Sequence, residues 1–178
     1  MGVLKGHFVG KGLDIGADNG RHLYLMPKGS VGLDFYTDYF KEFETKGYQT
    51  AKVDLDKGPL PFNGGDFDFV LCSHTLEHVQ RPNTLVKDIY RILKKRGKLI
   101  IGVPNALCIH TDFYSKRWPF HINVYDGVTL KKLLLKEGFR IKRRYCNFPT
   151  TSLLAFIIFN YSPLKYVWND IFYLCEKH

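Results

Sequence analysis

Short apolar runs alternate with amphipathic segments along most of the 178-residue chain. Runs of strand length occur at 10–16, 30–35, 48–55, 66–73, 98–104 and 140–148, and a last candidate strand lies at 170–177. Segments with helical spacing occur at 37–47, 81–97 and 126–139, and a helix starts in the turn after the first strand. Strands that alternate with helices predict an α/β fold, a mostly parallel sheet of about seven strands with helices on both faces.

Capping residues and glycines set the expected helix ends. The helix over 81–97 is expected to begin at a cap on Asn83 or Thr84 and to end at Gly97, and Asp126 is expected to cap the next helix. The apolar faces of these two helices comprise Leu85, Ile89, Ile92 and Leu93, and Leu130, Leu133 and Leu134. The aromatic segment at 105–125 and a helix or strand near 152–160 complete the pattern.

The composition is that of a folded protein, with 45% hydrophobic and 15% aromatic residues. The absence of repeats and low-complexity linkers predicts one domain over residues 1–178. The four cysteines form no C-x-x-C pair, which favours reduced, buried thiols and a cytoplasmic location. No apolar run approaches the roughly 20 residues of a membrane span, and nothing indicates the oligomeric state.

The net charge of +9 is unevenly distributed. Residues 1–80 contain 8 Lys and Arg against 11 Asp and Glu, whereas residues 81–178 contain 18 against 6. A basic half suggests an anionic substrate, a nucleic acid or a membrane surface. A solvated lysine-rich surface is the alternative, and the run "RIKRRY" at 140–145 can equally be a charged edge strand that resists aggregation.

Ligands of such sheets bind at the carboxyl ends of the strands, so the turns there carry the chemistry. A dinucleotide fingerprint is absent, because Asp18 and Arg21 follow Gly16 where glycines are needed. The chain has instead "GLDIGADNG" at 12–20, strand-end acids at Asp34 and Asp54, and the three segments "LPFNGGDFDFVLCSHTLEHV" at 60–79, "ILKKRGKLIIGVPN" at 92–105 and "HINVYDGVTLKKLLLKEGF" at 121–139. In these motifs, from residue 10 to about 147, the sequence resembles the class I S-adenosylmethionine-dependent methyltransferases.

The resemblance implies S-adenosylmethionine as cofactor. Gly16 and Gly20 are expected to let the backbone pass close to its methionine part, where a Cβ would clash. Asp34 is expected to bind the ribose hydroxyls, and Asp54 the adenine amino group. The remaining implied cofactor-binding residues are Asp14, which orients the first turn or the ammonium group, Asp18, Phe35, Leu55, which packs the adenine ring, and Ser73.

Asp18 departs from the family motif, which has glycine at this position. The turn either widens so that Asp18 meets the cofactor's ammonium group, or cofactor binding is impaired. The second reading leads to an alternative function, a non-catalytic binding or scaffold protein with a methyltransferase fold. Asp34 and Asp54 also have a plain alternative, since strand-end acids often only cap turns.

The segment "HTLEH" at 74–78 matches the H-x-x-E-H pattern of zinc-binding helices. Because it follows a buried strand, His74 is expected in a loop that lines the pocket, with Glu77 and His78 in the next turn. A zinc protease would need both histidines inside one helix and an acidic ligand downstream. We therefore expect no metal and interpret the match as coincidental.

Methyl transfer needs a base only where the acceptor is a hydroxyl or a protonated amine. The candidates are His74, His121 and Tyr125, each of which could equally be a structural residue of the loop or lid. Residues 106–125 are expected to cover an open pocket, and the aromatic residues of this segment interleave with Lys116 and Arg117. Such a surface suits an anionic acceptor, which is a small molecule, a lipid head group or RNA, although a hydrophobic plug is the alternative.

Overall fold

The structure, a computed structural model, describes residues 6–107, 121–147 and 170–178. Its strands are β1 Gly12–Ile15, β2 Val31–Asp34, β3 Gln49–Lys52, β4 Phe67–Ser73, β5 Leu93–Pro104, β6 Phe139–Asn147 and β7 Asp170–Lys177. Its α-helices are α1 Phe40–Thr45, α2 Pro82–Ile92 and α3 Gly127–Lys136, and 3₁₀ helices cover Leu23–Leu25 and Leu76–His78. The predicted element near 152–160 and most of the aromatic segment, residues 108–120, lie outside the described residues.

The seven strands form one sheet in the order β3-β2-β1-β4-β5-β7-β6. The pairs from β3 to β5 are parallel, whereas β7 runs antiparallel to both β5 and β6. The predicted α/β class and the number of strands are confirmed. The basic strand β6 lies at one edge of the sheet, which agrees with its interpretation as a charged edge strand.

Both faces of the sheet are covered because successive strand side chains point to opposite faces. On one face, α2 and α3 pack against β1, β4 and β5 through residues such as Ile89, Leu130 and Leu134. On the other face, Leu23 and Phe43 pack with Phe69 and other side chains of β4 and β5. A short 3₁₀ helix, instead of the helix expected after β1, contributes Leu23 to this second core.

The predicted helix over 81–97 is too long. It ends at Ile92, and Leu93 already pairs with Phe67 as the first residue of β5. The pairing of β5 with β4 shifts register before Lys98, and Arg96 has φ of 63° in the intervening segment. The helix-forming residues of 93–97 are thus drawn into the sheet, because local propensity is weaker than tertiary pairing.

The predicted cap on Asn83 or Thr84 is also wrong. The N-cap of α2 is Arg81, without a side-chain hydrogen bond, and Pro82 occupies the first turn, where its missing N–H costs nothing. The cap on Asp126 is confirmed, because its side chain accepts hydrogen bonds from the N–H groups of Val128 and Thr129. No helix among the described residues is long and apolar enough to cross a membrane.

Candidate functional site

Strands β1 to β4 end at a common edge of the sheet because they run parallel. From β1 the chain moves outward through β2 and β3, and then returns to β4 on the other side of β1. The crevice between the carboxyl ends of β1 and β4 is therefore the topological switch point, where α/β sheets bind ligands.

A tight left-handed turn follows β1. Gly16, Asp18 and Gly20 have φ values of 75°, 43° and 76°. The turn is fastened to β2, because the N–H groups of Gly16 and Ala17 donate to the carbonyl of Leu33 at 2.8 and 3.0 Å. Aspartate is one of the non-glycine residues that tolerate this backbone region, so the turn forms with Asp18 in its middle position.

The two glycines of the turn have different neighbours. A Cβ on Gly16 would lie 2.3 Å from Oγ1 of Thr75, whose hydroxyl donates to the carbonyl of Ile15 at 3.0 Å. A Cβ on Gly20 would instead lie 2.4 Å from the ring of Phe43 in the core. Gly16 thus allows the backbone of the turn to lie close to Thr75 beside the crevice, whereas Gly20 is required by packing against Phe43 in the core.

The Asp34 carboxylate fixes the glycine turn from the end of β2. Its Oδ2 accepts a hydrogen bond from the backbone N–H of Asp18 at 2.9 Å, and its Oδ1 accepts one from Tyr36 at 3.0 Å. The contact of Asp18 with Asp34 is therefore made by its backbone N–H. Each carboxylate oxygen can accept a further hydrogen bond, so Asp34 combines a turn-holding role with capacity for a ligand.

A pocket opens at the ends of β1, β2 and β3. Five predicted cofactor-binding residues line it: Gly16, Asp34, Phe35, Asp54 and Leu55. The rest of its lining comprises Leu33, Val53, Asp56, Thr75, His78 and Val79. Asp18, Gly20, Asp14 and Ser73 are not part of the lining. Thr75, His78 and Val79 were not predicted as site residues, although their position after a strand end was the available signal.

The Asp54 side chain is ionised at neutral pH. The backbone N–H of Asp56, at 3.1 Å, and the Lys57 ammonium group, at 3.2 Å, hold the pKa of the Asp54 carboxyl below its usual range. Phe35 lines the same pocket with half of its surface exposed, so an apolar face and a carboxylate are available together.

Asp14 is buried beneath this edge of the sheet, with 1% of its surface exposed. Neither carboxylate oxygen accepts a hydrogen bond of normal geometry from the described residues. Burial raises the pKa of Asp14 to about 8, the charge of Asp34 adds to the rise, and the backbone N–H of Leu23 opposes it. The Ser73 hydroxyl also has no hydrogen-bond partner within the described part of the chain.

Asp14 and Ser73 share one face of the sheet. Asp14 pairs with Leu71 in the ladder, and Ser73 lies two residues further along β4. Two buried polar groups without partners on one face at a ligand-binding edge are unusual, because buried polar groups are normally hydrogen-bonded.

His74 follows β4 in a left-handed conformation, with φ of 54°, and its N–H donates to the carbonyl of Gly102 at 2.9 Å. Its Nδ1 lies 3.5 Å from Oε1 of Glu77 and its Nε2 lies 3.7 Å from Oδ2 of Asp170. Burial lowers the pKa of His74, but the two carboxylates outweigh burial and raise it above its ordinary value. His74 is thus an imidazole between two acids with part of its side chain in solvent.

The other two base candidates, His121 and Tyr125, lie near the same acid, Glu77. Burial raises the pKa of Tyr125 to about 12, and the charge of Glu77 adds to the rise. Tyr125 therefore stays protonated at neutral pH. Burial lowers the pKa of His121, which favours its neutral form. Glu77 was not predicted as a central residue, because its contacts come from parts of the chain that are distant in sequence.

The H-x-x-E-H segment does not form the helix of a zinc protease. Leu76–His78 is a single 3₁₀ turn, and His74 precedes it in the left-handed region. Most of the predicted cover of the pocket at 106–125, including Lys116 and Arg117, falls on 108–120, outside the described residues.

Comparison with known proteins agrees with this geometry. Residues 7–143 match a family model described as a methyltransferase domain. The chain is 37% identical over 104 residues to an uncharacterized protein of Methanocaldococcus jannaschii, an alignment that covers 57% of this chain and 48% of that protein. It is 30% identical over 154 residues to the tRNA U34 carboxymethyltransferase of a Sulfurovum species, covering 76% of this chain and 48% of that enzyme.

Among solved structures, a SAM-dependent methyltransferase from Archaeoglobus fulgidus superposes with a TM-score of 0.73 at 23% identity. The superposition covers 99% of this chain and 94% of that one. The fold is thus that of the class I methyltransferases, and the chain belongs to the S-adenosylmethionine-dependent methyltransferase family. It spans about half the length of the curated relatives it matches.

Proposed function

We propose that the chain binds S-adenosylmethionine at the switch point and transfers its methyl group to an acceptor. The observation that carries this proposal is the buried Asp14 carboxyl, which accepts no hydrogen bond of normal geometry from the described residues. An isolated buried acid costs free energy unless a cation or donor meets it. The ammonium group of the cofactor's methionine part is such a partner, and Asp14 lies in β1 beneath the edge of the sheet where the pocket opens.

We assign the other parts of the cofactor to residues that line the pocket. Asp34, which keeps acceptor capacity beside the turn, suits the ribose hydroxyls. Asp54 suits the adenine amino group, and Phe35 and Leu55 provide apolar contact for the ring.

Gly16 supports close approach of the backbone, since any Cβ there would collide with Thr75. We assign Asp18 and Gly20 to shaping the turn, and the Ser73 hydroxyl to the methionine end beside Asp14.

The bound cofactor supplies a methyl group on a positively charged sulfur, so the protein's main task is to position the acceptor. Where the acceptor carries a proton, we propose His74 as the base. Its contacts with Glu77 and Asp170 hold the imidazole in place, and the two carboxylates would stabilise the imidazolium form. His121 and Tyr125 are assigned to the wall of the acceptor site, because the phenol of Tyr125 stays protonated at neutral pH.

We further propose that the acceptor is anionic. Residues 81–178 carry 18 Lys and Arg against 6 Asp and Glu, and Lys116 and Arg117 belong to the segment expected to cover the pocket. The basic residues of β6 do not support this proposal, because that strand lies at the far edge of the sheet from β1 and β4. RNA is one such acceptor, and one relative is named as a tRNA-modifying enzyme.

Isothermal titration calorimetry with S-adenosylmethionine and its demethylated product tests the cofactor assignment. We expect binding of both, and a loss of about 5- to 150-fold in affinity for Asp34→Ala, which is equivalent to 1–3 kcal/mol. Asp38→Ala is the matched control, since Asp38 is an exposed acid of the same loop. Absence of heat with either compound at tens of micromolar protein contradicts the proposed function.

The second candidate function, binding without turnover, is motivated by Asp18 in place of a glycine. Because the Asp18 N–H donates to Asp34, the backbone of the turn is intact, which supports cofactor binding in both functions. A screen of methyl transfer from labelled cofactor to RNA, anionic metabolites and lipids separates the two functions. Tight cofactor binding without transfer to any of them would favour the scaffold.

A further inference from the structure

Glu77, His78 and His121 form a cluster beside the pocket. One potential ligand atom from each residue, a carboxylate oxygen or an imidazole nitrogen, lies within 4.8 Å of the other two. Glu77 and His78 belong to the 3₁₀ turn after β4, whereas His121 opens the segment that leads to α3. The cluster therefore joins parts of the chain that are more than forty residues apart.

The Glu77 carboxylate is buried and has no hydrogen bond of normal geometry among the described residues. Only 2% of the residue's surface is exposed. Nδ1 of His74 lies 3.5 Å from Oε1 of Glu77, which allows an ion pair when His74 is protonated but is too long for a good hydrogen bond. A buried carboxylate in this state costs several kcal/mol unless a charged partner joins it, and a metal ion is such a partner.

Backbone contacts, not the imidazoles, hold the two segments together. The N–H groups of Ile122 and Asn123 both donate to the carbonyl of Glu77 at 3.0 Å, and the Asn123 amide donates to the carbonyl of Val79 at 2.6 Å. The rings of His78 and His121 pack edge to face, with centroids 4.8 Å apart and an interplanar angle of 68°. The backbone thus brings the ligand side chains together before any ion binds.

We propose that Glu77, His78 and His121 bind a divalent transition-metal ion, with Zn²⁺ as the best match. Two imidazoles and one carboxylate are a known zinc ligand set, and three protein ligands leave a coordination position open. Ligand atoms bound to zinc at about 2.0–2.2 Å lie about 3.4 Å apart in a tetrahedral site, so separations of up to 4.8 Å must shorten by up to about 1.4 Å. His78 also lines the cofactor pocket, which puts the open position within reach of an acceptor oxygen or a water.

This site differs from the one that the H-x-x-E-H pattern suggests. The pattern pairs His74 with His78 on one helix, but the 3₁₀ turn and the left-handed His74 separate these two residues. His121 takes the place that the pattern gives to His74. The proposal does not depend on the proposed function, because metal binding is measured without the cofactor.

The full-length chain, treated with chelator and dialysed, is titrated with ZnCl₂ by calorimetry and with CoCl₂ by visible absorption. We expect one ion per chain for each metal. His121→Ala and Glu77→Gln should each weaken binding by at least about 100-fold, more than the loss of an outer-sphere partner causes. His7→Ala is the matched control, since the nearest charges to His7 are Lys98 and Arg143 on β5 and β6. We expect unchanged metal affinity in this control.

Absence of stoichiometric binding below about 100 µM metal would overturn the proposal, as would binding that survives both ligand substitutions. If Glu77→Gln fails to fold, the partly exposed His121 allows His121→Ala to decide alone. Because His74 lies 3.5 Å from Glu77 as an outer-sphere partner, His74→Ala should weaken metal binding less than His121→Ala does. A loss as large as that of His121→Ala would instead favour the helical H-x-x-E-H pattern and refute the proposed ligand set. Affinity for S-adenosylmethionine, measured for the same variants, shows whether a lost signal comes from the metal site or from the cofactor pocket.

Discussion

The buried Asp14 carboxyl should make the stability of the protein depend on pH in a way that one substitution removes. Its pKa is raised from 3.8 to about 8 by burial and by the charge of Asp34. Between these two values the folded protein holds a proton that the unfolded chain has lost. The free energy of unfolding therefore falls as pH rises through this window, and levels off above about pH 8.

The slope for one such group is about 1.4 kcal/mol per pH unit. From pH 5.5 to pH 7.5 the Asp14 carboxyl should thus lower the unfolding free energy by about 2.5 kcal/mol, or roughly 5–10 °C in melting temperature for a chain of this length. Asp14→Asn is nearly isosteric and does not titrate. The free energy of unfolding of the variant, relative to that of the wild type, should therefore increase as pH rises.

Differential scanning fluorimetry of both proteins from pH 5 to pH 8.5 measures this effect. The difference curve isolates Asp14 from other groups, such as His22, whose pKa is lowered to about 4 and whose contribution to stability has the opposite pH dependence. Parallel melting curves would refute the reasoning, since they would mean that Asp14 ionises normally in the fold. Binding of S-adenosylmethionine to wild type near pH 7 should release protons, detectable as buffer-dependent calorimetric heat, and Asp14→Asn should abolish that release.

Three further predictions concern the turn and the acceptor. Gly16→Ala should lower the melting temperature by several degrees and weaken cofactor binding, because it combines a positive φ with a Cβ 2.3 Å from a hydroxyl oxygen. Gly29→Ala is the control: its φ is 81° and the space around it is open, so it carries only the backbone strain and should keep cofactor affinity. Asp18→Gly should change cofactor affinity by less than about threefold in calorimetry, since only the N–H of Asp18 meets Asp34, and a larger gain would mean that the aspartate impairs binding. If the acceptor is rich in phosphate, replacing Lys116 and Arg117 by alanine should reduce the slope of log affinity against log salt by about 1.5, and an unchanged slope would remove these residues from the acceptor site.

Much of the fold could be predicted from the sequence, because the apolar runs that predict strands are followed by the acidic residues expected at the ends of those strands. The runs at 10–16, 30–35 and 66–73 each contain an observed strand, and the acids predicted at strand ends line the pocket or lie beneath it. Parallel strands bring their carboxyl ends to one edge whatever the details of packing. A ligand site made of consecutive strand ends can therefore be predicted without knowing a single side-chain contact.

The boundary between α2 and β5 could not be predicted in the same way. Residues 93–97 have the lysines and arginine of a helix end and a glycine where a helix usually stops. What decides their conformation is the pairing of Leu93 with Phe67 and the register shift that follows it, both of which are tertiary. Sequence spacing also gave no sign that the segment at 121–123 is hydrogen-bonded to Glu77.

Asp34 illustrates a role that only the structure reveals. From sequence it is a strand-end acid with two readings, a ribose ligand or a turn cap. In the fold its two oxygens already accept hydrogen bonds from Asp18 and Tyr36, so the turn-capping reading is correct as far as the protein alone is concerned. The two readings do not exclude each other, because each oxygen of Asp34 can accept a further hydrogen bond.

The distribution of charge around the switch point suggests why the protein tolerates its buried acids. Asp14 and Glu77 are both buried without hydrogen-bond partners of normal geometry in the described structure, and each lowers stability for that reason. A buried carboxylate of this kind is retained where a bound ligand stabilises it, and a cofactor with an ammonium and a sulfonium group is attracted by carboxylates. The acidic first half of the chain supplies these groups and the basic second half supplies the excess of positive charge. If the acidic half contacts the positively charged cofactor and the basic half an anionic acceptor, replacing Asp14 should weaken cofactor binding without changing the salt dependence of acceptor binding. Replacing Lys116 and Arg117 should change the salt dependence of acceptor binding without weakening cofactor binding.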